Sequence, residues 1–281
     1  MMEYAISIKD LKKSYKDFDL SINELNIPKG CITGIIGRNG AGKTTLIKSI
    51  LGVTPISGGD VKVLGTDLNG NEKYIKDRVG ALIDGGVYLN YRLKELGKNI
   101  GRFYSNWDND IFMSYLDRFG LDPKKPLMVL SDGAKAKAKV AVALSHHADL
   151  IIMDEPSTGM DPVAREELMD LFAEKICEEA TVVISTHTTS DLDRTADYIV
   201  MIHDGKVLFN RQKDELLEGC RVVKGAADAL SDEVKSLLVS YKVGPYGFEA
   251  LTEKPDELKS LKDITFDKPK VEDIFRFYSK S

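Results

Sequence analysis

The sequence lacks a long hydrophobic run: nowhere do about 18 apolar residues follow one another, the length that a membrane-spanning helix requires. The first ten residues also lack the apolar core of a secretory signal. We therefore expect a chain that does not cross a membrane by itself. Any role at a membrane must then come through a partner.

Cysteine is scarce, and its placement excludes two kinds of site. The three cysteines show neither the spacing of a metal centre nor the even number of a disulfide framework; they are Cys31, Cys177 and Cys220. We interpret them as buried or incidental thiols of a protein in a reducing compartment.

Neither sign of charge is in large excess. The chain has 39 basic and 44 acidic side chains and a formal net charge of −5. This balance argues against binding nucleic acid through bulk positive charge, so no nucleic-acid partner is expected. A hydrophobic content of 43% allows a real core, and 281 residues suffice for one large α/β domain with an appendage.

A phosphate-binding pattern, G-x-x-x-x-G-K-[ST], is present between an apolar run that predicts a buried strand (31–36) and a run of helical periodicity (45–52). Strand, loop and helix together place backbone N–H groups and a helix N-terminus around one anion. In such loops the lysine reaches the β- and γ-phosphates, and the following hydroxyl coordinates Mg²⁺. The nucleotide-binding candidates are therefore Gly37, Arg38, Asn39, Gly40, Ala41, Gly42, Lys43, Thr44 and Thr45.

Two carboxylates follow the apolar run 150–153, which predicts a strand covered on both faces. Ligands of open α/β sheets bind at the carboxyl ends of such strands. We expect Asp154 to hold Mg²⁺ and Glu155 to orient and deprotonate the attacking water. The alternative is that both acids only cap the next helix, and Pro156 does indicate a turn there.

Three later motifs supply further candidates. His187 ends the next apolar strand at the same sheet edge, where it can bond a γ-phosphate or the water, although an isolated histidine at a strand end is more often plain surface. Ser131 and Gly133 precede a Lys- and Ala-rich helix and predict a second anion site, available to another molecule's phosphate. Asp161 follows the acidic strand and suits an interface.

The order of these motifs (phosphate loop, L-S-x-G, D-E, G-M-D, S-T-H) resembles the ABC ATPase family over roughly residues 4–209. The resemblance implies a head-to-tail dimer. Each ATP would lie between the phosphate loop of one subunit and Ser131 and Gly133 of the other. The second subunit could be an identical chain or a different one.

The resemblance also assigns roles to single residues. Glu155 would be the general base, His187 a switch histidine, and Asp161 a contact across the dimer interface. Tyr15, which lies about 22 residues before the loop, would be the aromatic ring on which adenine stacks.

Four segments are similar to the YtrB-like branch of bacterial ABC-2-type ATPases: 103–108, 196–199, 203–206 and 272–278. That branch pairs with a separate multi-helix permease. The resemblance therefore implies a peripheral protein at the cytoplasmic face of the cell membrane, with a helical insertion that docks the permease.

The sequence departs from the family pattern at two acids. Asp132 replaces the first signature glycine, and Ala134 replaces the usual glutamine. The Asp132 charge near the partner's γ-phosphate should be unfavourable unless the side chain points away, and Lys135 and Lys139 on one helical face could offset it. Because the YtrB-like branch tolerates a residue other than glycine at this position, we expect slow but real turnover. Asp84 stands where the wider family carries a glutamine that contacts Mg²⁺; an acid there favours an exporter, and the alternative is that it only starts a glycine turn.

We expect an α/β fold of the P-loop NTPase type with a mostly parallel sheet. It would carry an N-terminal antiparallel β-subdomain of exposed-edge strands, a helical signature subdomain at about 86–147, and a small α+β appendage. The predicted domains are 1–218 and 219–281, the latter containing helices around Leu230–Leu238 and Val271–Tyr278. The function favoured is an exporter ATPase. The alternatives are a soluble non-transport ABC ATPase and a weakly hydrolysing regulatory module.

Overall fold

Three β-sheets organise the part of the chain that the structure, a computed structural model, describes: residues 3–83, 91–259 and 264–280. The sheet at the centre has six strands in the order β10-β9-β3-β8-β7-β6, and all neighbours are parallel except β10, which runs antiparallel to β9. These strands are β3 (Ile32–Ile36), β6 (Val79–Leu82), β7 (Leu150–Asp154), β8 (Thr181–Thr186), β9 (Tyr198–His203) and β10 (Lys206–Gln212).

The central strands are apolar throughout because both faces of their sheet are covered. In β7, Leu150 and Ile152 belong to the core under the N-terminal sheet, whereas Ile151 and Met153 belong to the core on the helical side. Because successive side chains of a strand point to opposite faces of the sheet, a single apolar run contributes to both cores. The predicted parallel sheet is confirmed.

The N-terminal sheet is antiparallel, with the order β2-β1-β4-β5. Its strands are β1 (Tyr4–Tyr15), β2 (Phe18–Pro28), β4 (Gly58–Val63) and β5 (Thr66–Asp67). The prediction of exposed-edge strands is wrong for β1, which pairs with both β2 and β4. Alternating apolar residues reveal one buried face of a strand, but they carry no information on how many neighbours it has.

Eleven α-helices complete the described residues. They are α1 (Lys43–Ile50), α2 (Glu72–Arg78), α3 (Leu93–Ile100), α4 (Asn109–Arg118), α5 (Asp132–Leu144), α6 (Pro162–Cys177), α7 (Ser190–Thr195), α8 (Lys213–Gly219), α9 (Asp232–Ser236), α10 (Pro255–Leu258) and α11 (Val271–Tyr278). Within the described ranges, no helix combines the length and apolar character needed to span a bilayer. The predicted helical insertion contains α3, α4 and α5.

The C-terminal region forms the third sheet, with the order β12-β13-β11-β14. Its strands are β11 (Arg221–Gly225), β12 (Ser240–Gly244), β13 (Gly247–Thr252) and β14 (Ile264–Asp267). The expected helix around Leu230–Leu238 is shorter than predicted, because only the five residues of α9 are helical. The Val239 N–H donates to the Leu251 carbonyl, so the chain has already turned into the sheet there. The closing helix 271–278 is confirmed.

Candidate functional site

The phosphate loop connects β3 to α1 and requires glycine at its last position, immediately before α1 begins. Gly42 precedes α1 with φ +111°, a left-handed conformation that side chains rarely adopt. A Cβ at Gly42 would also lie 2.9 Å from the ring of Phe18. The loop therefore packs directly beneath the β1–β2 hairpin and presents the N-terminus of α1 to its surroundings.

Lys43 is the buried cation of this loop, with only 6% of the residue exposed. Its Nζ donates to the Gly37 carbonyl at 2.9 Å and lies 3.5 Å from Oε1 of Glu155. A buried ammonium group needs such acceptors, because removing it from water is costly. The contacts keep the charge inside the loop, next to the carboxylate.

Thr44 and Asp154 meet at the carboxyl ends of the central strands. Thr44 Oγ1 donates to Asp154 Oδ2 at 2.6 Å, and the Ser185 hydroxyl donates to Asp154 Oδ1. Sequence reasoning missed Ser185, which sits directly opposite Asp154 in the parallel register of β7 and β8. The available signal was its own place in the sequence, because Ser185 is the first residue of the S-T-H motif at the end of β8.

The donors at this point fit Mg²⁺, which prefers oxygen ligands and keeps several waters and phosphate oxygens around it. The Thr44 hydroxyl and the Asp154 carboxylate supply two such oxygens 2.6 Å apart. Across the described ranges there is no group of three or more His, Cys, Asp or Glu side chains placed to hold a metal. The third predicted ligand, Asp84, lies outside the described residues.

Glu155 and His187 form a direct pair. Glu155 Oε2 lies 2.6 Å from Nδ1 of His187 and also accepts the His187 backbone N–H at 3.3 Å. The Glu155 backbone has φ +50° and donates to the Ser185 carbonyl and hydroxyl, each at 3.1 Å. The unusual backbone thus turns the carboxylate toward the histidine and the lysine of the phosphate loop.

A cavity of about 610 Å³ lies over the phosphate loop. Its lining includes Asp17 and Phe18 of the β1–β2 hairpin, together with Arg38, Thr44 and Glu155. Tyr15, the predicted adenine contact, is not part of this lining. It ends β1, is 47% exposed, and has the Lys13 ammonium 5.1 Å from its ring centre.

The second predicted anion site begins α5. Ser131 caps that helix by accepting the Ala134 N–H at 3.3 Å. Asp132 has 89% of its side chain exposed and pairs with Lys135 at 3.1 Å. A Cβ on Gly133 would lie 2.7 Å from the Gly159 carbonyl, so this loop is held against the turn that precedes α6.

Asp161 ends the turn that the Ser131–Gly133 loop contacts, immediately before α6 begins. It caps α6 by accepting the Ala164 N–H at 3.0 Å, and this bond holds the pKa of the carboxyl below its usual range. Within the described ranges, neither Ser131 nor Gly133 makes a hydrogen bond to the phosphate loop of the same chain.

Comparison with known proteins decides the family. An ABC transporter family model matches residues 20–158. The bacitracin transport ATP-binding protein BcrA of Bacillus licheniformis is 33% identical over 248 residues, which cover 85% of this chain and 79% of the relative. The chain belongs to the ABC transporter ATP-binding proteins.

Other members of this ABC family are similar as well. The lantibiotic transport ATP-binding protein SrtF of Streptococcus pyogenes is 30% identical over 74% of this chain and 91% of its own length. The ABC transporter ATP-binding protein YtrB of Bacillus subtilis is 26% identical over 88% and 85% of the two chains. The family predicted from the motifs is therefore confirmed, and YtrB is among the relatives.

Solved structures confirm the fold of this ABC protein. An ATP-binding subunit of an ABC transporter superposes with a TM-score of 0.69 at 24% identity, covering 76% of this chain and 92% of the other. A dimeric ATP-binding cassette in a post-hydrolysis state, bound to ADP and Pi, gives a TM-score of 0.65 at 21% identity, covering 74% and 98%. The α/β fold with its mostly parallel central sheet is that of an ABC cassette.

Proposed function

We propose that the chain is the ATP-hydrolysing subunit of a bacterial ABC exporter. The observation that carries this proposal is the position of Glu155, between the Lys43 ammonium at 3.5 Å and the His187 ring at 2.6 Å. A base, a cation for the γ-phosphate and an orienting histidine thus converge beside the phosphate loop. Relatives named for bacitracin and lantibiotic transport support a role in transport, and a relative named for Nod factor export supports export as the direction.

The phosphate loop would bind the ATP triphosphate. Backbone N–H groups of residues 37–45 and the Lys43 ammonium face the β- and γ-phosphates in this assignment. Thr44 and Asp154 would hold Mg²⁺, and Asp84 is assigned to the same ion. When bound, Mg²⁺ neutralises charge that builds up on the phosphate oxygens.

Glu155 would act as the general base. Its carboxylate accepts a proton from the attacking water as the oxygen approaches the γ-phosphorus. His187 holds that carboxylate through Nδ1 and the backbone N–H. It thereby positions the base, and in its imidazolium form it would also donate to a γ-phosphate oxygen through its remaining ring nitrogen.

A second ATP-binding subunit would complete each site. Ser131 and Gly133 of that subunit bind the γ-phosphate in this proposal, Asp161 contributes a contact across the interface, and Tyr15 stacks on adenine. The exposure of the Asp132 carboxylate, 89% of whose side chain faces solvent, supports a surface at the start of α5 that another molecule can contact. The second subunit is either another copy of this chain or a related one.

A separate multi-helix permease would dock on the helical insertion at the cytoplasmic face of the membrane. Between α2 and the turn after α3 lies a cavity of about 580 Å³, lined in part by Tyr74 and Phe103. Phe103 is 83% exposed although it is a large apolar side chain. Aromatic residues of this kind are enriched in protein interfaces, which supports a docking role.

The substitution Glu155→Gln tests the function. It keeps the shape of the side chain and removes the base, so steady-state ATP hydrolysis should fall by about 10³-fold while ATP binding persists. Glu174→Gln is the matched control, since that carboxylate pairs with Arg118 on the surface, away from the phosphate loop. Unimpaired steady-state hydrolysis by the Glu155→Gln chain would reject Glu155 as the base.

A further inference from the structure

The short helix α7 begins at Ser190, three residues after His187, and contacts the central sheet, the turn after Glu155 and the C-terminal region. Its six residues are too few for a helix to be stable by itself. Leu192 at its centre is fully buried, and a Cβ on Gly34 of β3 would lie 2.5 Å from the Leu192 side chain. The position of α7 is therefore determined by what packs around it.

One acidic side chain of α7 reaches the catalytic side of the sheet. Asp191 Oδ2 accepts the Ser157 hydroxyl at 3.0 Å. Ser157 is 4% exposed and lies two residues after Glu155, in the turn that leads to Asp161. The base and the histidine thus sit on two segments that this hydrogen bond joins.

Another acidic side chain of α7 reaches the C-terminal region. Asp193 Oδ1 accepts the backbone N–H of Val271, the first residue of α11, at 2.9 Å. The Asp193 carbonyl accepts the Lys213 ammonium at 2.9 Å. Asp193 therefore bonds both the last helix of the chain and the start of α8.

Among its described residues, the C-terminal region contributes to two apolar clusters, and α7 belongs to one of them. Val271, Ile274 and Phe277 of α11 are fully buried in a cluster that also contains Leu192. A second cluster, which contains Phe248, lies within the appendage without any residue of α7. One face of the appendage thus supports the helix that follows His187, and the other face only stabilises the appendage.

We propose that Asp193 and α11 position α7, and through it His187 and the Ser157 turn, for ATP hydrolysis. The proposal rests on the function proposed above and assigns a task to the C-terminal region. Asp191 and Asp193 are positioning residues, because each acts through another group and not on ATP itself. Loosening α7 displaces the histidine relative to Glu155, and displacements near 1 Å cost about 10²-fold in the most sensitive sites.

The pair Asp193→Ala and Asp193→Asn tests the hydrogen bond. Alanine removes the acceptor for the Val271 N–H, and we expect kcat for ATP to fall about tenfold. KM should change little, because the phosphate loop lies on β3 and α1. Asparagine keeps an oxygen at the same place and should restore most of kcat. Wild-type kcat in the alanine variant, or no rescue by asparagine, would overturn the proposal.

The pair Phe277→Leu and Phe248→Leu separates positioning from stability. Both residues are buried, and both variants should lower Tm. Only Phe277→Leu should lower kcat, since Phe248 belongs to the cluster remote from α7. Equal loss of kcat in both variants would refute positioning, whereas absence of ATP hydrolysis by the wild-type chain would refute the proposed function instead.

Discussion

The phosphate loop and the signature loop (Ser131–Gly133) both lie at helix N-termini, yet their charged side chains differ in exposure and in their partners. The phosphate loop encloses a lysine that is 6% exposed and bonded to Gly37 and Glu155. The signature loop presents Asp132, whose side chain is 89% exposed and pairs with Lys135. The charged side chain of the phosphate loop is thus enclosed by the chain, whereas the charged side chain of the signature loop faces outward.

The two loops also differ in how many of the candidate site residues lie around them. At the phosphate loop, Glu155 lies beside both Lys43 and His187, and the Thr44 hydroxyl bonds Asp154. Within the described ranges, the start of α5 shows no comparable set of contacts: Ser131 caps the helix and Asp132 pairs with Lys135. In the proposed dimer, the outward loop of one subunit would complete the site at the enclosed loop of the other.

Removing the enclosed cation is expected to have the largest effect. Lys43→Ala should abolish hydrolysis and weaken ATP binding by about 10²-fold or more, because a charge-assisted contact to the phosphates is lost. The measurement is titration of the purified chain with Mg·ATP. Lys48→Ala in the same helix should bind ATP normally, and equal affinity of the two variants would contradict the assignment.

Substitution in the signature loop should affect hydrolysis without affecting binding. A Cβ at Gly133 would lie 2.7 Å from the Gly159 carbonyl, so Gly133→Ala should displace the loop and lower the ATPase rate about tenfold. ATP affinity of the isolated chain should stay at the wild-type value. Gly219→Ala is the control, because a Cβ there meets no atom within 4 Å. Loss of ATP affinity in Gly133→Ala would place the loop in the same subunit's site.

The smallest effect is expected at Asp132. Replacing it by glycine removes a negative charge that would face the partner's γ-phosphate. Repulsion between exposed charges costs about 1 kcal/mol, so its removal should raise the dimerisation constant about fivefold. We expect tighter ATP-driven dimers, a faster ATPase and a weaker dependence on salt concentration. Unchanged dimerisation and ATPase rate, measured by light scattering and phosphate release, would show that the charge is irrelevant.

The phosphate loop and the acids after β7 could be predicted because their signals are local. A glycine pattern between strand and helix, and carboxylates at the end of an apolar run, are visible in the sequence without knowing the fold. The family, the parallel sheet and the helical insertion followed from the same signals.

The remaining features depend on contacts between distant segments. Ser185 bonds Asp154 because β7 and β8 align those two residues, and the sequence alone carries no register for parallel strands. Phe18 lines the cavity over the phosphate loop and lies against Gly42 because the β1–β2 hairpin brings it there, a contact between distant segments that the sequence does not show. The adenine contact of Tyr15 stays a prediction. The interior position of β1 and the short α9 also depend on tertiary pairing that overrides local pattern.

The central claim, a site shared between subunits, is tested most directly by mixing two inactive chains. Lys43→Ala lacks a working phosphate loop, and Ser131→Arg lacks a working signature loop. If the second subunit is another copy of this chain, the equimolar mixture should recover about one quarter of the wild-type ATPase rate, since about half of the dimers are mixed and each has one intact site. A mixture no more active than its two components, under conditions where the chains form dimers, would contradict the account.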